Sequence, residues 1–169
     1  ETLPLVNPEQ EDYALVLLTL VESILEDPAV IPVVLEIARG GSLVLTSVSA
    51  DSAPKTVSRI LDLFSDYDQG RVRSLLTTAL QAIICQKVVP KIGGGLVVVQ
   101  EILIANEAVR STIASGNIAA LGNIIQTSRA AGMVSFNHVL ADLAEKRIIT
   151  REVALDNSAD KKALESLLK

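Results

Sequence analysis

The chain has 169 residues, enough for one compact domain with a real core or one domain with a small appendage. A hydrophobic fraction of 49% argues against disorder, while aromatics at 2% with no Trp leave a core of Leu, Ile, Val and Ala and almost no platforms for stacking bases or sugars. Lys and Arg total 15 against 20 acids, so the net charge of -5 repels phosphate polyanions and no nucleic-acid partner is expected.

The first dozen residues are polar and punctuated by proline. DYALVLLTLVESILED then predicts a helix capped by Asp12 and stopped before Pro28. Neither Tyr13 to Val21 nor Ala29 to Leu35 approaches the roughly 20 apolar residues that span a bilayer, and the acidic N-terminus lacks a basic leader region. The expectation is a soluble, cytoplasmic chain with no direct membrane insertion. AVIPVVLEIAR reads as strand or helix until Gly40 and Gly41 break it, after which Ser42 to Val48 alternates and branches like a buried strand.

From Asp51 the pattern turns helical. DSAPKTVSRILDLF places Val57, Ile60, Leu61 and Phe64 on one stripe, with Asp51 or Ser52 as cap and Pro54 in the first turn. A second helix is predicted from about Gln69 to Ile84, with Val72, Leu75, Leu76, Ala79, Leu80 and Ile83 at three and four spacing. Two β-rich runs follow, Gln86 to Ile92 and Leu96 to Ile104, around three consecutive glycines. That layout predicts a β-hairpin. After Asn106 the sequence is helical to its end, with joints at Gly116 and Gly132.

Chemistry finds little to stand on. A phosphate loop needs G-x-x-x-x-G-K-[ST] followed by a helix whose N-terminus faces the anion; no such string exists, and Gly93 to Gly95 lead into a strand. His138 has no second His and no Cys partner at zinc spacing. The pairs Glu26-Asp27 and Asp66/Asp68 flank proline or loop positions, where capping and solvation account for them. Cys85 sits in an apolar AIICQ setting with no disulfide partner, which fits a structural thiol in a reducing compartment.

A resemblance adds to these readings. GSLVLTSVSADSAPKTVSRILDLF, QGRVRSLLTTALQAIICQKVVPKIGGGLVVVQEILIANEAVR, IIQTSRAAGM and LAEKRIITREVAL, preceded by LEDPAVI, resemble the C-terminal half of the PilT-like twitching-motility and type II/type IV secretion ATPases. The resemblance covers about residues 25 to 155. It implies an α/β fold: a partial RecA-like region over residues 1–104 with its hairpin at 86–104, followed by an all-α helical subdomain over 105–169. Such ATPases form hexameric rings beneath the inner-membrane pilus platform. The resemblance therefore implies self-association, or association with a pilus motor ATPase or the platform protein, and a peripheral place at the inner membrane.

The family's retraction members carry an AIRNLIRE word, and AVRSTIAS stands here, keeping Ala108, Val109 and Arg110 and an apolar Ile113. These four are interaction candidates, as are Arg59, Arg71 and Arg73, for which a solvated face or an intersubunit salt bridge is the plain alternative. The family's cofactors are ATP and magnesium; this chain is expected to hold neither. It lacks a Walker A string, and the Gly-Glu pair of the Walker B word falls on Val34 and Leu35, or is deleted with PVVLEIAR ending the next helix, unless Glu36 substitutes by a one-residue slip. The histidine-box position is Ser49. The implied function is a pilus-motor-related, non-catalytic interaction module, the alternative being a portion of an active ATPase whose P-loop lies upstream.

Overall fold

The computed structural model describes residues 27–168, and the helix expected from Asp12 lies outside them. The first described element is helix α1 (Ile31–Arg39), which resolves the ambiguity of AVIPVVLEIAR in favour of a helix. Pro32 sits in its first turn, where a missing N–H costs nothing, and Ile31 and Leu35 are its buried residues. The chain then passes Gly41, whose φ of 97° lies in the left-handed region, into Ser42 to Val48. Here the expected buried strand is corrected. Among the described residues this segment joins no ladder, with a single bridge position at Thr46, and Leu43 and Leu45 are each 48% exposed. Alternating β-branched residues make a strand only where a neighbouring strand offers its N–H and C=O groups.

Helix α2 (Ala53–Asp62) begins at Ser52, whose Oγ accepts from the amide of Lys55, and it buries the predicted stripe of Val57, Ile60 and Leu61. Helix α3 (Asp66–Ala79) is capped by Ser65, with Asp66 and Asp68 complementing the positive end of the helix dipole. The predicted extension of this helix to Ile84 is corrected. Leu80 takes an extended conformation with ψ of 130°, and strand β1 (Ala82–Pro90) starts two residues later. The run AII is β-branched enough to choose the strand, and the Ala105 amide donating to the Gln81 carbonyl continues the pairing beyond it.

Strand β2 (Leu96–Ile104) pairs antiparallel with β1, from Ala82 opposite Ile104 to Pro90 opposite Leu96. The hairpin therefore starts four residues before the predicted Gln86. Its turn closes with the Lys91 amide donating to the Gly95 carbonyl at 3.0 Å. Gly93, Gly94 and Gly95 have φ of 83°, 101° and 80°, a left-handed run that any Cβ would strain. Gly94→Ala has open space for its methyl yet should lose about 1–2 kcal/mol through backbone strain alone, read by chemical denaturation. A loss under a few tenths would mean that the turn relaxes to another type.

The remainder is helical. Helices α4 (Glu107–Ala114), α5 (Leu121–Thr127), α6 (Phe136–Glu145), α7 (Arg151–Asn157) and α8 (Lys161–Leu167) follow one another, with 3-10 turns at Ile118–Ala120 and Arg129–Ala131. Asn106, Ser135, Thr150 and Asp160 each cap the helix that follows. One hydrophobic cluster runs from Ile31 on α1 through Leu76 on α3 and Leu103 on β2 to Leu164 on α8. Helices packed around a two-stranded antiparallel hairpin make the described fold α/β, the expected class.

Candidate functional site

The inward face of the hairpin shows what the sequence placed in the core. Strand alternation puts Cys85, Lys87 and Val89 of β1 beside Val99, Glu101 and Leu103 of β2 on that side, and all but Lys87 are buried. Glu101, 9% exposed, is a carboxylate in an otherwise apolar row. A buried charge needs partners, and two helix N-termini supply them. Its Oε1 accepts from the amide of Ala53, the first residue of α2, at 2.8 Å, and the amide of Phe136, the first residue of α6, favours its ionised form. One side chain thus satisfies a free N–H group at the start of α2 and sits close to the start of α6, a helix from a distant part of the chain.

Electrostatics around Glu101 pull in opposite directions. Burial pushes its carboxyl above the ordinary range, while the Ala53 and Phe136 amides and the Lys87 ammonium pull it back, and the net shift is upward. The Lys87 Nζ lies 4.7 Å from the centre of the Phe136 ring, a cation–π contact at the same corner. Beside it, Asp51 is held low by a hydrogen bond and ion pair with Lys55, Nζ to Oδ2 at 2.9 Å. Burial raises the Cys85 thiol, with the Thr56 hydroxyl 3.9 Å from its Sγ, so it is poorly ionised and an inert core group.

These residues open onto a cavity of about 350 Å³ between the starts of α2 and α6 and the α7–α8 turn, lined by Asp51, Lys55, Lys87, Glu101, Asn137 and Asp160 among others. Its far wall is a closed polar lattice. The Ser158 hydroxyl donates to Asn137 Oδ1 at 2.7 Å, the Asn137 amide donates to the Asp160 carbonyl at 3.0 Å, and the Asp160 amide donates to Ser158 Oγ at 3.1 Å. Asp160 Oδ1 meanwhile caps α8 at the Ala163 amide. The acids around the cavity are thus occupied by caps and ion pairs, an arrangement that orients helices rather than moving protons. Among the described residues no group of three or more His, Cys, Asp and Glu side chains is placed to hold a metal ion. His138 Nδ1 is 2.8 Å from the Ser135 hydroxyl that caps its own helix.

The interaction candidates divide by burial. Val109 and Ile113 are fully buried on α4 and anchor that helix to the core; Ala108 is exposed and Arg110 half-buried. Arg110 Nη1 donates to the Thr77 carbonyl near the end of α3, tying the two helices together. Arg73 lies on the same seam, its guanidinium against Gly116 just beyond the α4 C-terminus, where a cation meets the negative end of the helix dipole. Arg59 on α2 and Arg71 on α3 are exposed, and Arg71 borders a shallow groove walled by Pro28, Pro32 and Phe64. The structure brings Arg73 and Arg110 to one helix pair and leaves Arg59 and Arg71 on outer faces.

The positions aligned with catalytic words are equally specific. Leu35 is buried on α1 and Val34 half-buried, while Glu36 forms a surface ion pair with Arg39 at 2.6 Å. Ser49 is exposed before α2. The Glu101 junction is not readable in the sequence, where Glu101 is one residue of the predicted run Leu96 to Ile104. A carboxylate at an inward position between Val99 and Leu103 was the available signal.

No family model matches the sequence. Among curated proteins, the chain is 35% identical over 134 residues to the type IV pilus retractation ATPase PilT of Pseudomonas aeruginosa, an alignment covering 79% of this chain and 39% of that protein. It is 37% identical over 131 residues to the twitching motility protein of Neisseria gonorrhoeae, covering 77% and 35%. The fold matches the crystal structure of the pilus retraction motor PilT with bound ADP at a TM-score of 0.73 and 34% identity, over 83% of this chain and 39% of that one. Helices on a hairpin, superposed on a solved pilus motor, define part of a RecA-like motor-ATPase fold. Over the aligned residues the chain belongs to the PilT-type family of pilus-motor ATPases. It spans well under half the length of these relatives.

No helix among the described residues is long and apolar enough to cross a membrane.

Proposed function

We propose that this chain is a pilus-motor-related interaction module that keeps the PilT-type scaffold and does not hydrolyse ATP by itself. The observation that carries the reading is α1. Where the family word would place a magnesium- or water-positioning carboxylate, this chain has a helix with Leu35 turned into the core and Glu36 engaged with Arg39. Ser49 at the histidine-box position, which offers no imidazole, supports the same reading. Self-association or docking to a motor ATPase or the inner-membrane platform protein, at the cytoplasmic side of that membrane, is the role left to such a scaffold. Ala108 and Arg110 are its solvent-reaching α4 candidates.

The test is calorimetry of the 169-residue chain with magnesium and ATP, which should register no saturable binding at concentrations up to about 1 mM, while a colorimetric phosphate assay stays at background. Micromolar, magnesium-dependent binding would sink the proposal. A second reading draws on one fact, that the chain spans 39% of the Pseudomonas relative: a longer ATPase with its P-loop upstream. That reading requires GxxxxGK[ST] in the reading frame before Glu1 and turnover that disappears when its lysine is replaced.

A further inference from the structure

The tip of the hairpin gathers positive charge in a chain that carries a net -5. The Ile92 amide donates to the Ile148 carbonyl at 2.9 Å, which pins the tip against the connection between α6 and α7. Beside that bond along the chain lie four exposed cations, Lys91, Lys146, Arg147 and Arg151, and among the described residues none of them forms an ion pair. Two acids share the stretch, Glu145 and Glu152, so four positive charges against two negative leave the patch at +2. Local stability accounts for Lys146 and Arg147, which complement the negative end of α6. It does not account for Lys91, nor for Arg151, the first residue of α7, where a cation opposes the helix dipole. The turn itself is bare. Gly93 and Gly94 have open space around them, Lys91 folds back so that its Cε lies 3.4 Å from where a Gly95 Cβ would stand, and Ile92 is 54% exposed.

We infer that this tip docks on an anionic phospholipid surface. Charge complementarity and the exposed isoleucine select that partner together. Lipid phosphates answer the four cations, and the acyl boundary just beneath them takes Ile92, whereas an acidic peptide would match the cations and leave Ile92 in water. Nucleic acid also offers phosphate, but its bases stack on aromatic side chains, and there is none from Lys87 to Val99. The overall negative charge does not forbid the approach. At physiological salt a charge is screened beyond about 8 Å, so the patch presented first to the surface sets the sign of the interaction. The glycines serve the same contact, because a turn without side chains lets Ile92 and Lys91 reach the surface before the bulk of the domain does.

The inference rests on the reading of this chain as a module at the cytoplasmic side of the membrane, and its test needs no nucleotide. Co-sedimentation of the whole chain with phosphatidylcholine vesicles containing about 30% phosphatidylglycerol should show binding at about 50 mM salt that weakens at least about tenfold by about 300 mM, and none to phosphatidylcholine alone. Each cation at such a surface is worth about fivefold in partition, so Lys91→Gln and Lys146→Gln should each weaken binding about fivefold and together about 25-fold, with unchanged far-UV circular dichroism. Lys162→Gln, an exposed cation on α8, should change nothing. Ile92→Ser keeps the backbone bond to Ile148 and should weaken binding at least about threefold. Arg151→Gln supplies the same reading if a hairpin variant misfolds. A chain that ignores anionic vesicles, binds phosphatidylcholine equally, or is indifferent to the Lys91 and Lys146 substitutions overturns the inference. Wild-type binding by Ile92→Ser would point to an acidic peptide instead and overturn it as well. A chain that binds these vesicles and also turns over ATP overturns only the proposed function, and one that does neither overturns only this inference.

Discussion

Glu101→Ala is expected to lower the melting temperature by about 6–12 °C, equivalent to about 2–4 kcal/mol at roughly 3 °C per kcal/mol for a domain of this size. The carboxylate receives the Ala53 amide at the start of α2 and is favoured by the Phe136 amide at the start of α6. Truncation leaves the Ala53 N–H without its side-chain acceptor and a void where the side chain stood. Glu101→Gln keeps one acceptor oxygen and the volume, so its loss should be about 1 kcal/mol. Retention of wild-type melting by the alanine variant would mean that water replaces the carboxylate fully and that the junction is ornamental.

The pH dependence has a definite sign. Because burial raises the folded-state carboxyl above the ordinary carboxylate range, the folded protein holds this proton more tightly than the unfolded chain. Stability from that proton is complete below the ordinary carboxylate range and falls as pH rises through the raised folded-state value. The glutamine variant lacks the titration, so wild-type stability minus Glu101→Gln stability should shrink as pH climbs through the mildly acidic range. A difference that grows with pH would show that the helix N-termini and Lys87 outweigh desolvation.

Ile113→Ala is expected to lose about 2–4 kcal/mol, whereas Ala108→Glu on the same helix should change stability by less than about 0.5 kcal/mol. Ile113 is fully buried and Ala108 exposed, although both fall in the word that resembles the retraction motif. Urea unfolding of the two variants separates a packing role from a docking role at adjacent turns of α4. Equal, small effects would place Ile113 at a surface that the fold does not show.

What could be read from residue order was the part governed by local rules. The α2 stripe follows from spacing, its cap from Ser52 and Pro54, and the hairpin from two β-branched runs around three glycines. Failures came where partners decide the outcome. Ser42 to Val48 has strand-like residues, yet a strand is a pairing, and among the described residues no strand pairs with it. Residues 80–85 continue a helical spacing of apolar side chains, but AII favours the extended ladder with Leu103 and Ile104 once β2 is present. The same distinction holds at the candidate site. Matching AVRSTIAS to a motif locates α4 but cannot tell Val109, in the core, from Ala108, in solvent. Glu101 as a junction needed α2 and α6 in space, since nothing in the one-dimensional order links Ala53 to Phe136.

The hairpin tip carries a kinetic consequence. Ile92 donates its amide to the carbonyl of Ile148, beyond α6, so the glycine turn is fastened to a much later part of the chain. The β1–β2 ladder is local and forms on the timescale of an isolated ribbon, but this last bond must wait for the intervening helices to close a long loop, whose entropy is lost first. Amide exchange at Ile92 therefore reports the docking of α6, while exchange at Val99 reports the ribbon. The glycines let the chain reverse early; the residue beside them records when the rest of the molecule arrives.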